Sequence, residues 1–108
     1  MKIFDCTTFY AEHLMMDVRF NVLDQHVDKF IVCESTISHS GKPKKLNFDI
    51  NNYPKFKNKI IHVIIDEEPN DIIKSENKLL SPTEKRVNSL KRIELSYDYM
   101  TKALDIAL

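Results

Sequence analysis

The sequence predicts an α/β domain built on a parallel sheet, and three observations carry that prediction. Strand-like and helix-like stretches follow one another in the order strand, helix, strand, loop, strand, helix. Two of the three strand candidates are nearly continuous apolar runs, as expected of strands that are covered on both faces. The 108 residues include a single glycine, which fits one domain with long helices and few tight turns.

Charge and hydropathy exclude several classes of function. Sixteen basic and sixteen acidic residues cancel, so no overall field attracts the chain to nucleic acid, and any anion site must be local. No stretch approaches the roughly 18 apolar residues of a membrane span. The first residues, MKIFDCTTFYAEHL, lack the apolar core of a signal peptide. We therefore expect a cytoplasmic protein with no nucleic-acid partner and no membrane segment.

The two cysteines are predicted to be buried free thiols. Cys6 and Cys33 each lie inside an apolar run, and neither has a Cys-x-x-Cys spacing. The four histidines are scattered without an i, i+4 pair. This pattern does not provide a metal ligand set.

The first half of the chain contains two strands and a helix. Residues 2–10 are rich in β-branched and aromatic side chains and predict a first strand. Residues 11–27 change to helical spacing. The predicted buried face of this helix consists of Leu14, Met15, Val18, Val22 and Leu23. Residues 29–35, KFIVCES, predict a second, buried strand.

The second half begins with a polar, turn-prone segment over residues 46–58, which is interrupted by Pro54. The apolar run over residues 59–66, KIIHVIID, predicts a third strand of the buried type. A polar connection over residues 67–80 follows.

A strong helix start follows that connection. Ser81 is the predicted N-cap, Pro82 takes the first helical position and Glu84 closes a capping box. The helix is predicted to run to the end of the chain. Its predicted apolar face consists of Val87, Leu90, Ile93, Tyr97, Met100, Leu104 and Ala107.

A ligand site is expected at the carboxyl ends of the strands, because open parallel sheets bind ligands there. Three segments lie at such ends: residues 7–10, 34–45 and 66–69. The second of them holds the only glycine, Gly41, and the Lys-Pro-Lys-Lys cluster that follows it.

The second segment supplies three candidate residues for nucleotide binding. Glu34 ends strand two, where a carboxylate accepts hydrogen bonds from a ribose hydroxyl or a uracil N–H, or else is a solvated acid that caps a loop. Lys42 and Lys44 flank Pro43 and would meet a diphosphate as point charges, or else make a loop soluble.

The other two segments and the last helix supply further candidates. Thr8, Phe9 and Tyr10 follow strand one; one of the two aromatic side chains must face the core, and the other is free to stack on a base. Asp66 would orient a ribose or cap a loop. Arg86 and Arg92 point in different directions on the helix, so only one of them faces the site.

One residue pair and one histidine have structural interpretations. Asp17 and Arg19 are predicted to form a structural ion pair. His62, within strand three, is predicted to be a hydrogen-bonded core or face histidine.

Several short motifs occur in a distinctive order along the first two thirds of the chain. They are Asp5-Cys6, Asp17-Val18-Arg19-Phe20, Val27-Asp28-Lys29-Phe30, Cys33-Glu34-Ser35, Gly41-Lys42-Pro43-Lys44, Leu46, Phe48 and residues 59–66. In this order the sequence resembles the N-terminal part of glycosyltransferase family 17 over residues 2–68. The resemblance is poor over residues 69–80. It places the family's Gln-Arg pair at Lys91-Arg92, where the first residue departs from the family's pattern. The resemblance therefore favours Arg92 over Arg86 as the arginine that faces the site.

The resemblance implies a Rossmann-like sheet of the GT-A type that binds a UDP-sugar. UDP-N-acetylglucosamine is the favoured donor, and a glycan is the acceptor. The family's divalent metal, Mn or Mg, is held by an Asp-x-Asp type motif that should follow the long helix. Residues 1–108 therefore resemble an N-terminal nucleotide-sugar-binding portion that binds no metal and does not catalyse alone.

A second interpretation belongs to another class of protein. In it the chain is a stand-alone, non-catalytic α/β binding module that associates with itself through the exposed sheet edge or the terminal helix.

Overall fold

The computed structural model describes residues 2–74 and 79–107 and confirms the α/β class and the predicted order of elements. The strands are β1 (Phe4–Thr8), β2 (Lys29–Ser35) and β3 (Ile60–Ile65), and the helices are α1 (His13–Leu23) and α2 (Pro82–Ala107). Two short 3₁₀ helices, Ile50–Asn52 and Pro54–Phe56, lie between β2 and β3. Residues 75–78, within the predicted connection over 67–80, lie outside the described residues.

The three strands form one parallel sheet in the order β1-β2-β3. Phe4 lies opposite Lys29 in the first ladder, and Phe30 lies opposite Ile60 in the second. The central strand β2 has five consecutive buried residues, because it has a neighbour at each edge and a layer on each face.

The layer on one face consists of α1 and the 3₁₀ segment, and here the prediction of the buried helix face was wrong. Met16 and Phe20 are the buried residues of α1. The Phe20 ring packs against Phe30 at 4.7 Å and Tyr53 at 5.1 Å between centroids. Of the five predicted residues only Leu23 packs against this core, partly buried; the other four are 46–76% exposed, namely Leu14, Met15, Val18 and Val22. Two apolar stripes compete on this helix, and the one that carries the aromatic ring takes the core.

The segment over residues 46–58 contributes more to this core than its polar composition predicted. Phe48, Tyr53 and Phe56 are all buried. Phe48 and Tyr53 stack with their rings nearly parallel, 5.3 Å apart. The three aromatic residues follow neither strand nor helix spacing, so periodicity did not identify them.

The helix α2 covers the other face of the sheet, and its predicted capping box is confirmed. The N–H of Glu84 donates to Ser81 Oγ at 3.2 Å, and the N–H of Ser81 donates to Glu84 Oε1 at 3.0 Å. Of the predicted apolar face Met100 is buried, whereas Leu90 and Tyr97 are 54% and 61% exposed. Small or hydrogen-bonded polar residues take the remaining buried positions of α2, which are Asn88 and Ser96.

Both thiols are free, as predicted; Cys33 is buried as predicted, whereas Cys6 is only half-buried because β1 is at the edge of the sheet. Burial raises the pKa of Cys33 to about 11, so this thiol stays protonated at neutral pH. No helix within residues 2–74 and 79–107 has the length and apolar character needed to cross a membrane.

Candidate functional site

An open pocket of about 820 Å³ lies at the carboxyl edge of the sheet, where the strand order predicted a ligand site. Residues after β1 and the long loop after β2 form its walls. Five of the eight predicted site residues line it: Thr8, Phe9, Tyr10, Lys42 and Lys44. The fold thus brings together side chains that are up to 36 positions apart in the sequence, and their binding roles stay predictions.

The loop after β2 turns sharply at Gly41. The N–H of Gly41 donates to Ser38 O and the N–H of Ser38 to Lys42 O, both at 2.9 Å. Gly41 has a φ of +91°, a conformation that side chains with a Cβ rarely adopt. The only glycine is therefore required here by the turn that delivers Lys42 to the pocket.

Arg92 of α2 supports this turn from behind. A Cβ on Gly41 would lie 2.6 Å from Arg92 Nη2, so the guanidinium packs directly on the glycine. Arg92 Nη1 donates to His39 O at 2.9 Å, and Nε and Nη2 donate to the carboxylate of Glu68 at 2.9 and 2.8 Å. Arg92 lines smaller cavities beside the main pocket, and its predicted contact with a nucleotide stays a prediction.

Glu34 lies beneath the pocket and is 1% exposed. Its carboxylate accepts hydrogen bonds from Lys44 Nζ at 3.0 Å, His62 Nε2 at 3.2 Å and the backbone N–H groups of Asn47 and Phe48. Burial acts to raise the pKa of Glu34. Three hydrogen-bond donors outweigh this effect and hold the pKa below its usual range: the N–H of Asn47, the Lys44 ammonium and the N–H of Phe48. Glu34 is thus ionised and fixes the loop; its predicted contact with a ribose or uracil stays a prediction.

Lys44 and Tyr10 meet at the wall of the pocket. The Lys44 ammonium lies 5.5 Å from the centroid of the Tyr10 ring, within the range of a cation–π contact. Tyr10 is 58% exposed, whereas Phe9 is 4% exposed and packs edge-on against Phe48. Of the two candidate aromatics, Phe9 therefore faces the core and Tyr10 is available for stacking.

Two other residues singled out in the sequence, Asp66 and Arg19, have identifiable partners. Asp66 accepts a hydrogen bond from Thr36 Oγ1 at 2.8 Å, and does not line the main pocket. Arg19 pairs with Asp5 through two 2.6 Å hydrogen bonds, so the predicted Asp17–Arg19 pair was wrong. The reason is the direction of the side chain: Arg19 extends from α1 to β1 rather than along its own helix.

The sequence did not single out three further residues that line the pocket: Glu12, Lys45 and Asn47. Lys45 belongs to the same basic cluster as Lys42 and Lys44. Glu12 and Asn47 fasten Tyr10, since Glu12 Oε2 accepts from the N–H of Tyr10 at 2.9 Å and Asn47 Nδ2 donates to Tyr10 O at 2.8 Å. No local pattern in the sequence indicates these contacts.

Comparisons with known proteins give consistent matches. Residues 1–100 match the family described as Glycosyltransferase family 17. Similar curated proteins include "Beta-1,4-mannosyl-glycoprotein 4-beta-N-acetylglucosaminyltransferase" of Homo sapiens, 34% identical, and the proteins of the same name in Rattus norvegicus, 29%, and Mus musculus, 28%, each over 72 residues. The matches cover 63% of this chain, but only 14% of the human protein and 13% of the two rodent proteins. No solved structure matches.

Proposed function

Since this chain belongs to glycosyltransferase family 17, we propose that it forms the donor-binding part of a glycosyltransferase with a Rossmann-like sheet of the GT-A type. The donor is a UDP-sugar, UDP-N-acetylglucosamine, and the acceptor is a glycan. The names of the similar animal proteins support the choice of N-acetylglucosamine. The observation that carries the proposal is the pocket at the carboxyl edge of the sheet, which combines basic residues with an exposed aromatic ring.

The charges around the pocket suit a diphosphate. Lys42 is exposed beside the turn at Gly41, where its ammonium is free to move toward a phosphate. Lys44 is held in place by Glu34, and Glu12 brings a second carboxylate to the pocket, so the three lysines Lys42, Lys44 and Lys45 exceed these two carboxylates by one positive charge. In a chain with no net charge, this local excess is what would attract an anionic ligand.

Tyr10 suits the base of the same ligand. Its ring is exposed, and its backbone is fixed by Glu12 and Asn47. Stacking of a base on the ring would therefore cost little backbone entropy at Tyr10. Stacking of a base on an aromatic side chain contributes about 1–3 kcal/mol in nucleic-acid binders.

The residues described here do not fit the divalent metal that the resemblance implies. Within residues 2–74 and 79–107, no three His, Cys, Asp or Glu side chains converge as a metal site requires. We therefore assign this chain the binding of the donor: it holds the UDP moiety, and transfer of the sugar to an acceptor hydroxyl is not expected from the chain alone.

Calorimetric titration of the 108-residue chain with UDP and UDP-N-acetylglucosamine, with and without Mn²⁺, tests the proposal. We expect uridine-dependent binding that does not require the metal. Tyr10→Ala should weaken it about tenfold through loss of stacking. Lys42→Ala should weaken it about three- to tenfold through loss of a charge-assisted contact worth about 1 kcal/mol.

Matched controls separate binding in the pocket from general effects. Tyr97→Ala removes a similarly exposed tyrosine from α2, and Lys2→Ala removes an exposed lysine at the opposite end of β1. Neither control should change the affinity. If the folded chain, checked by circular dichroism, binds neither ligand, the assignment of the pocket is wrong and the non-catalytic binding module becomes the better interpretation.

A further inference from the structure

Lys44 differs from the other two lysines of the pocket, because its ammonium already has a full set of acceptors. Its Nζ donates to Glu34 Oε2 at 3.0 Å, to Ser35 O at 3.3 Å and to Lys45 O at 3.0 Å. A lysine ammonium has three N–H donors, so none is left for a ligand. The Lys44 side chain is 8% exposed, whereas Lys42 and Lys45 are exposed. Lys44 is therefore bound within the wall of the pocket.

The ring of Tyr10 is the group that Lys44 presents to the pocket. The ammonium lies over this ring, 5.5 Å from its centroid, and the negative face of an aromatic ring attracts a cation at such a distance. Tyr10 is more than half exposed, so without this contact its side chain would be free to change rotamer. Restricting a mobile side chain when a ligand binds costs affinity. A ring that is held before binding avoids that cost.

The backbone of Tyr10 is held by a second arm from the same carboxylate. Glu34 Oε2 accepts a hydrogen bond from the N–H of Asn47 as well as from Lys44. The side chain of Asn47 then donates from Nδ2 to Tyr10 O at 2.8 Å. The four residues form a closed circuit of contacts that joins the end of β1 to the loop after β2. One buried carboxylate thus fixes both the ring and the backbone of Tyr10.

We propose that Lys44 is a positioning residue for the base of the donor and does not bind its diphosphate. The ammonium covers one face of the Tyr10 ring, so the base stacks on the opposite face. Lys42 and Lys45 are then the lysines that meet the phosphates. This inference rests on the proposed function, and it gives different roles to two lysines, Lys42 and Lys44, that the sequence predicted to act alike.

NMR titration of the chain with uridine and with UDP tests the assignment, because uridine carries the base and the ribose of UDP without the phosphates. Lys44→Gln should weaken the binding of both ligands by the same factor, about two- to fivefold, as expected for one partly exposed cation–π contact. Lys42→Gln should weaken UDP and not uridine. If Lys44→Gln weakens UDP and not uridine, Lys44 binds the phosphates and the proposal is overturned.

A matched control is available on α2, where Lys102 lies over the ring of Tyr99 at 5.6 Å from its centroid. Lys102→Gln removes a contact of the same kind outside the pocket and should change the affinity for neither ligand. A double-mutant cycle adds a second control. In a Tyr10→Ala background Lys44→Gln should cause no further loss of UDP affinity, and a further loss as large as in the parent chain would overturn the proposal.

Asn47→Ala keeps the test decisive if Lys44→Gln does not fold. It removes an exposed side chain and the hydrogen bond to Tyr10 O, but it leaves the pair of Lys44 with Glu34 intact. It too should weaken uridine and UDP by the same factor. Unchanged binding of both ligands to this variant would overturn the role of the circuit.

The geometry itself is measurable without a ligand. In the parent chain we expect nuclear Overhauser effects between the methylene protons of Lys44 and the ring protons of Tyr10, and their absence would overturn the proposal. A parent chain that binds no UDP would overturn the proposed function and this inference with it. A parent chain that binds UDP but not uridine would overturn this inference alone, because stacking on Tyr10 then contributes nothing to the affinity.

Discussion

At the scale of single residues, Glu34 organises the wall of the pocket. It is buried in the central strand and holds three separate groups: a lysine of the pocket, the backbone of residues 47 and 48, and His62 of β3. A buried carboxylate with this many donors is costly to alter, because each donor then loses its partner. The position of Lys44 therefore depends on a residue that does not line the pocket.

Glu34→Gln should lower the free energy of unfolding by about 1–3 kcal/mol at pH 7, because the amide keeps the shape but leaves the Lys44 ammonium without a counter-charge. Urea unfolding measures this difference. Glu94→Gln, at an exposed position of α2, is the matched control and should change stability by less than about 0.5 kcal/mol. An equal effect of both changes would contradict the role assigned to Glu34.

The same carboxylate predicts how stability depends on pH. Its pKa is lower in the folded chain than in the unfolded chain, so the unfolded state takes up its proton first as the pH falls. The contribution of Glu34 is complete above pH 5 or so and is lost as the pH falls through the folded pKa. The difference in stability between the parent chain and Glu34→Gln should therefore shrink as the pH falls below about 5 and through the lowered pKa of Glu34.

At the scale of elements, α1 carries two apolar stripes, and two adjacent methionines distinguish them. Met16 is 4% exposed in the core, and Met15 is 64% exposed on the outer face of α1. In a dilute sample, Met16→Ala should cost about 2–5 kcal/mol of unfolding free energy, as expected for a buried methionine. Met15→Ala should cost less than about 1 kcal/mol. The reverse order would support the helix face that the sequence predicted.

At the scale of the whole molecule, the protection of backbone N–H groups from hydrogen exchange should be greatest in β2 and should alternate from residue to residue along β1. The N–H of Thr7 points to β2 and should exchange slowly with deuterium, whereas the N–H of Cys6 points to the open edge and should exchange quickly in a dilute sample. Hydrogen exchange followed by NMR measures both. Exchange of the Cys6 N–H as slow as that of the Thr7 N–H would contradict the assignment of β1 as an edge strand of this sheet.

The order of elements, the bounds of β2 and the start of α2 were predictable from the sequence, because each depends on local patterns. The family was predictable from ordered motifs such as Gly41-Lys42-Pro43-Lys44, and the match over residues 1–100 confirms it. The choice between two stripes of α1 was not predictable, because it depends on aromatic rings that Tyr53 and Phe56 supply from a distant loop. The buried position of Glu34 was missed for the same reason: its partners lie 10–28 residues away.

The parallel sheet also has a consequence for how the chain folds. Both strand pairs of the sheet join residues that are far apart in sequence, since Phe4 pairs with Lys29 and Phe30 with Ile60, and among the described residues no hairpin connects two strands of the sheet. Each ladder therefore requires the closure of a long loop before its hydrogen bonds stabilise it, which makes folding slow relative to helical proteins of this length. Because β2 belongs to both ladders, its residues are the natural place for the folding nucleus, and changes there should slow folding rather than only speed unfolding.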